Sequence, residues 1–276
     1  MNGVRKRELL DYLVDRLARE RAERGARVED RVAQLVRRAQ VPGGSTEDAW
    51  LAFRALVNVR DPWPADDALL AAQDELLRGV IAEAGVTRFD DLAPAPADGR
   101  LRLWRGDITT LAADAIVNAA NSGLTGCWAP LHYCIDNAIH TFAGIQLRIE
   151  CARLMEAQGH PEPTAQAKAT DAYNLPARRV VHTVGPIANG LPTNAHRTEL
   201  ARCYEACLDA AAAEGLRSIA FCCISTGVFG FPQEEAASIA VRAVRTWLDA
   251  RPDAGMTVVF NVFLDEDARI YRELLA

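Results

Sequence analysis

Three residues able to hold a metal fall within eight positions of this 276-residue chain: Cys127, His132 and Cys134. Two soft thiolates and an imidazole suit zinc, and three protein ligands leave the fourth tetrahedral position for water or substrate. A purely structural site would want a fourth ligand, for which Cys151 or His140 could serve. Spacing alone leaves three readings open: zinc ligands, buried thiols and, with least support, a nucleophilic cysteine. Cys151, Cys203, Cys207, Cys222 and Cys223 lie in helical or apolar stretches and read as core residues. His182 lies in a strand-like run and reads as a hydrogen-bonded structural histidine, while His160 and His196 sit in polar loops.

Two further segments carry groups suited to a nucleotide. Asn118-Ala119-Ala120-Asn121-Ser122 leaves an apolar strand with two amides in four residues, and an amide can pair with a hydroxyl as donor and acceptor. It follows Gly106-Asp107-Ile108-Thr109 in the same loop set. Thr226-Gly227-Val228-Phe229-Gly230-Phe231-Pro232 follows an apolar run and precedes a helix, and its glycines free backbone N–H groups to approach a phosphate. The plainer readings are a strand end with turn-forming Asn and an ordinary strand-to-helix turn.

The elements that must position these groups alternate in type. Leu101–Trp104, Ala115–Ala119, Arg179–Val184, Ser218–Ile224 and Met256–Val262 read as strands. Helices are expected over 136–158, 197–214 and 233–250. This pattern implies an α/β sheet layered between helices, with ligands beyond the carboxyl ends of the strands. The first part of the chain differs. Leu9, Leu10, Leu13, Val14 and Leu17 recur at helical spacing, as do Val28, Val32, Leu35 and Val36. Val41-Pro42-Gly43-Gly44 breaks the chain, and Ser45 with Asp48 resembles a capping box ahead of a helix that Pro62 and Pro64 end. One more helix is expected through Leu69–Ile81, with no strand-like run in this part. Ala-Pro-Ala-Pro-Ala-Asp-Gly at 93–99 reads as a linker, so residues 1–96 form a helical extension and 97–276 the α/β domain.

A net charge of −6 gives no pull toward nucleic acid or anionic membrane. The charged N-terminal 24 residues lack the apolar core of a signal peptide, and no run of eighteen apolar residues exists. Seven cysteines without such a signal point to the cytoplasm and against a disulfide framework.

Taken in order, GDIT at 106–109, IVNAANS at 116–122, IDNAIH at 135–140, VVHTVGP at 180–186 and CISTGVFGFP at 223–232 resemble the macrodomain family across about residues 100–265. The Cys127, His132, Cys134 trio resembles its zinc-containing branch, whose members also carry an N-terminal helical extension. Ordinary macrodomains have a glycine-rich stretch where this chain has GCWAPLHYC, which sets aside a simple copy of a metal-free mechanism. The resemblance implies a three-layer α/β/α fold with a mixed sheet, and hydrolysis of the bond between ADP-ribose and a protein side chain, reversing mono-ADP-ribosylation. It implies that Asp107 accepts from the adenine amino group and that Ile108 donates its backbone N–H nearby. Asn121 would hold the distal ribose, and Ile135, Asp136 and Asn137 would lie along that ribose and the phosphates. Ser225, Thr226, Gly227, Val228, Phe229 and Gly230 would form the diphosphate loop, with Phe229 over the sugar. Zn2+ on the trio would polarise the scissile group or position water, with Asn121 and Asp136 as catalytic residues. Asp136 would act as base or orient the nucleophile, or else cap the following helix. The resemblance also implies a lipoyl-carrier protein as substrate partner. The alternatives are an ADP-ribose reader with a structural zinc, a hydrolase of O-acetyl-ADP-ribose, and, against the acidic balance, an enzyme acting on nucleic-acid ends.

Overall fold

The computed structural model describes residues 1–26, 29–41 and 43–276. Val28 and Pro42, assigned above to a helix and to a chain break, lie outside the described residues.

Four helices form the N-terminal extension: α1 (Gly3–Glu23), α2 (Asp30–Gln40), α3 (Thr46–Asn58) and α4 (Asp67–Ala84). Ser45 caps α3 as expected, its hydroxyl accepting the Asp48 N–H at 3.0 Å and donating to the Asp48 carboxylate at 2.9 Å. The apolar stripes close on one another: Leu10, Leu13, Phe53, Leu56, Leu76 and Leu77 are fully buried in a core of their own. Inside it, Arg60 grips Glu20 through two hydrogen bonds of 2.7 and 2.8 Å, with both side chains nearly sealed from solvent. This core also takes in Ile145 and Phe142 from the α/β domain, so the extension is packed onto that domain. A two-residue strand, β1 (Thr87–Arg88), follows α4, where no strand was expected.

The central sheet has six strands: β2 (Leu101–Arg105), β4 (Ala115–Ala119), β5 (Ala167–Asp171), β6 (Arg179–Thr183), β7 (Ser218–Phe221) and β8 (Thr257–Val262). Their spatial order is β2-β8-β7-β4-β6-β5. All neighbours are parallel except β5, which runs antiparallel to β6 at the edge and makes the sheet mixed. The short β1 pairs instead with β3 (Leu111–Ala112). Ile116, Val117, Val180, Val181, Ile219 and Val258 are buried on both faces, as a covered parallel sheet requires.

Where the sequence suggested one helix over 136–158, the chain makes two, α5 (Ile135–Ala143) and α6 (Ile145–Gln158). Gly144 separates them at φ 100°, where a Cβ would collide with the Gln73 and Asn174 side chains. The N–H of Ile145, released by the break, is taken by Gln73 of α4 at 2.9 Å. α5 and α6 cover one face of the sheet; α7 (Asn194–Ala213), α8 (Gln233–Ala250) and α9 (Asp265–Leu275) cover the other. The parallel strands put the segments after β2, β4, β6 and β7 along one rim.

Candidate active site

β4 carries Asn118 and is followed by Asn121, and both amides turn toward one carboxyl group. Asn118 donates to Asp136 at 2.8 Å and Asn121 donates to it at 3.1 Å, on opposite oxygens. Asp136 sits in the first turn of α5 and is 5% exposed. Burial pushes its acid up to about 6, against the amide hydrogen bonds and the Arg148 guanidinium, which pull it down. Asn121 is tied further: its amide also donates to the Gly126 carbonyl at 3.0 Å, and its oxygen accepts the Gly123 N–H at 2.9 Å. A half-buried amide held at three points has one orientation, with one lone pair of its oxygen left for a ligand hydroxyl.

The chain from Gly126 carries the three candidate metal ligands. Gly126 stands at φ 82°, and a Cβ there would strike the His140 ring at 2.7 Å, so this approach needs glycine. The ligand atoms of Cys127, His132 and Cys134 lie within 4.8 Å of one another, with Cys127 Sγ 3.5 Å from His132 Nδ1. Zinc–sulfur and zinc–nitrogen bonds at a tetrahedral angle put sulfur and nitrogen about 3.6 Å apart. The donor set therefore fits a zinc ion in type and in spacing. Without a cation, burial and the neighbouring Cys127 push the Cys134 thiol up to about 12. Cys134 also caps α5, its sulfur accepting the Asn137 N–H at 3.4 Å, a role the sequence offered to Asp136. Trp128 stacks on Arg148, whose guanidinium carbon is 4.2 Å from the ring centroid, and Tyr133 is 96% exposed.

The expectation that Ile135, Asp136 and Asn137 lie in a loop needs correction. They begin α5, and Asn137 is 0% exposed, so its amide faces protein and donates to the Ala129 carbonyl at 3.1 Å. Ile135 is partly buried and packs against the main core.

The remaining expected contacts line the same rim. Asp107 is exposed, and one of its carboxylate oxygens accepts from both the Thr109 N–H and hydroxyl, which leaves the other oxygen outward. The N–H of Ile108 finds no acceptor among the described residues. After β7, the N–H groups of Gly227, Val228 and Phe229 likewise have no acceptor among them. Gly227 is open to solvent, Thr226 leans its hydroxyl on the Cys223 carbonyl, and Phe229 is half-buried. Ser225 is held at φ 66°, with its hydroxyl buried and unpartnered. Three consecutive N–H groups without an acceptor among the described residues are donors of the kind an anion needs. The segment 188–190 braces this loop through hydrogen bonds of 2.7–3.0 Å onto the Phe229 and Gly230 carbonyls, a support no sequence motif announced.

A second cluster, His140, Cys151 and His182, lies buried beneath Asn118. His182 is already engaged at both nitrogens, by the Asn118 amide at 3.1 Å and the Thr170 hydroxyl at 2.9 Å, so it joins the sheet to the amide pair. Burial holds it down to about 3 and holds His140 well below the usual imidazole range, the charge of Arg148 adding to the effect on His140.

This fold and rim define a macrodomain. A Macro domain family model matches residues 117–240. The chain is 52% identical over 239 residues, 86% of its length and 91% of the relative's, to a protein-ADP-ribose hydrolase of Treponema medium. It is 45% identical over 267 residues, 96% of its length and 94% of the relative's, to a protein-ADP-ribose hydrolase of Staphylococcus aureus. A Trypanosoma brucei macrodomain solved in complex with ADP-ribose aligns at TM-score 0.63 and 31% identity, covering 81% of this chain and 95% of that one. An Oceanobacillus iheyensis macrodomain solved with ADP aligns at TM-score 0.57 and 38% identity, covering 63% of this chain and 88% of that one. The chain belongs to the macrodomain family. Its standing among the curated hydrolases makes it a hydrolase. Among the described residues no helix is long and apolar enough to cross a membrane.

Proposed function

We propose that this chain is a zinc-dependent hydrolase that removes mono-ADP-ribose from modified proteins. The observation that carries this reading is adjacency: Asn121, the amide fitted to the distal ribose, is bonded to the carbonyl of Gly126, the residue before ligand Cys127. Bound zinc would supply Lewis acidity, tempered by two thiolates, at the sugar end of the nucleotide. The protein's own groups do the rest. The N–H groups of Gly227, Val228 and Phe229 take the diphosphate without lysines, and Phe229 packs over the sugar. Asp107 and the Ile108 N–H read adenine. Asn121 fixes the ribose, and Asp136 acts from beneath, fixing the Asn118 and Asn121 amides and stabilising, through its carboxylate, positive charge that gathers at the sugar.

The substrate partner is a small protein, and the family resemblance favours a lipoyl carrier. A thiolate pair kept as metal ligands suits a reducing compartment, the cytoplasm. The test is release of ADP-ribose from mono-ADP-ribosylated carrier protein by wild type, Cys127→Ala and Asn121→Ala, with metal content measured on each. Full turnover by a zinc-free Cys127→Ala protein would sink the zinc role. ADP-ribose binding without release by wild type would make the chain a reader.

A further inference from the structure

Resting on the zinc reading above, we infer that the helical extension is part of the metal site, and that Asn58, the last residue of α3, is a positioning residue for ligand His132. The ligand loop bends through Ala129-Pro130-Leu131-His132, closed by the His132 N–H on the Ala129 carbonyl at 3.2 Å. Leu131 stands there at φ 59°, a conformation a leucine adopts only when held. What holds it comes from 73 residues upstream: the Asn58 oxygen accepts the Leu131 N–H at 3.0 Å. The other face of the Asn58 amide donates to the Thr141 hydroxyl at 3.0 Å. Thr141 donates to Asn137 at 3.4 Å, and Asn137 donates back to the Ala129 carbonyl at 3.1 Å. Asn58, Thr141 and Asn137 are respectively 2%, 1% and 0% exposed. A closed circuit of three buried side chains thus grips both the start and the third residue of the turn that delivers His132 between Cys127 and Cys134.

Arg148 locks Asn58 into this circuit. Its guanidinium donates to the carbonyls of Val57, Asn58 and Arg60 at 2.8–3.0 Å and to Thr125 on the ligand loop at 2.7 Å. The end of α3 and the approach to Cys127 therefore share one buried cation. Partners that orient metal ligands from behind change metal affinity by about 10–100-fold when removed. The extension is then a component of the catalytic centre rather than a cover for the sheet.

The experiment measures zinc affinity on the full chain by competition with a chromophoric chelator, together with the rate of zinc release and Tm. Asn58→Leu removes the acceptor at similar volume; Asn58→Asp keeps it, with Arg148 on the Asn58 carbonyl as counter-charge. Gln73→Leu is the control, because Gln73 accepts the Ile145 N–H across the same interface but away from the loop. The expected result is zinc binding about 10–100-fold weaker in Asn58→Leu, near wild type in Asn58→Asp and unchanged in Gln73→Leu. Both leucine variants should melt lower by similar amounts. Wild-type affinity in Asn58→Leu, or an equal loss in Gln73→Leu, overturns the positioning role and leaves the zinc enzyme standing. A wild-type chain that takes up no zinc overturns both.

Discussion

Asn121 donates its side-chain amide to the buried carboxyl of Asp136 at 3.1 Å, while Asn118 donates to the other oxygen. The amide proposed to hold the ribose is thus oriented by a buried carboxyl, and the two roles can be separated by mutation.

Asp136→Ala should fold and bind ADP-ribose within a few-fold of wild type, because the diphosphate and adenine contacts lie elsewhere on the rim. Turnover should fall by about 100-fold, since a displacement of about 1 Å in a positioned group has that effect. Single-turnover kinetics with calorimetric binding checks this. A parallel loss of ADP-ribose affinity would show that the carboxyl contacts the ligand directly.

Cys127→Ser should lose zinc and release of ADP-ribose from protein, yet keep ADP-ribose affinity within about threefold, because serine is a poor zinc ligand and does not touch the nucleotide. Metal analysis and calorimetry on one preparation decide this. Retained metal would place the ion on other residues.

Asp107→Asn preserves the oxygen that Thr109 binds and replaces the outward acceptor by a donor. ADP-ribose should bind about tenfold more weakly, near the lower end of the ~1.5–3 kcal/mol worth of a charged hydrogen bond, with zinc content unchanged. An unaltered Kd would remove Asp107 from adenine recognition.

His140 and His182 are buried neutral, with folded pKa values below the unfolded value of 6.5. The unfolded chain therefore binds two protons that the folded chain refuses, and stability falls as pH drops below about 6.5. Asp136 opposes this: its folded value of about 6 exceeds the unfolded 3.8, so the folded chain holds one extra proton between those limits. Among these three groups the balance is one proton bound on unfolding. From these groups stability should fall as the pH drops from 6 toward 4. Urea melts across that range check it, and a flat profile would contradict the buried neutral imidazoles.

Glu20→Ala strands the Arg60 guanidinium in the extension's core. The expected loss is about 3–5 kcal/mol, the usual effect of breaking a buried pair from one side. Double substitution with Arg60→Met should recover part of it. Denaturant midpoints measure both, and a loss under 1 kcal/mol would mean that water reaches the pair.

Much of this molecule was legible in its sequence because local chemistry and global fold agree there. The Ser45 cap, the apolar strands at 115–119 and 218–221, and the trio at 127–134 are carried by residues close in the chain. What escaped depends on distant partners. β5 pairs at the sheet edge through Ala-Lys-Ala-Thr-Asp, which has little strand character of its own. The Gly144 break is set by crowding from Gln73 and Asn174. α9, with Asp265, Glu266 and Asp267 in its first turn, carried a helical signature that went unread. Spacing did not reveal that the Asn137 side chain turns into the protein, onto the Ala129 carbonyl. Asn58 and Arg148 carried no motif, since their chemistry exists only once two parts of the chain meet.

That meeting has a consequence for how the ligand loop can travel between proteins. Macrodomains such as the Oceanobacillus one align with under two thirds of this chain. Transplanting Gly126–Cys134 into so short a scaffold would bring the sulfurs and the imidazole but not the asparagine from α3 that bonds Leu131. The donors would arrive unbraced, and Leu131 could relax to an ordinary backbone. A working graft has to bring α3 as well.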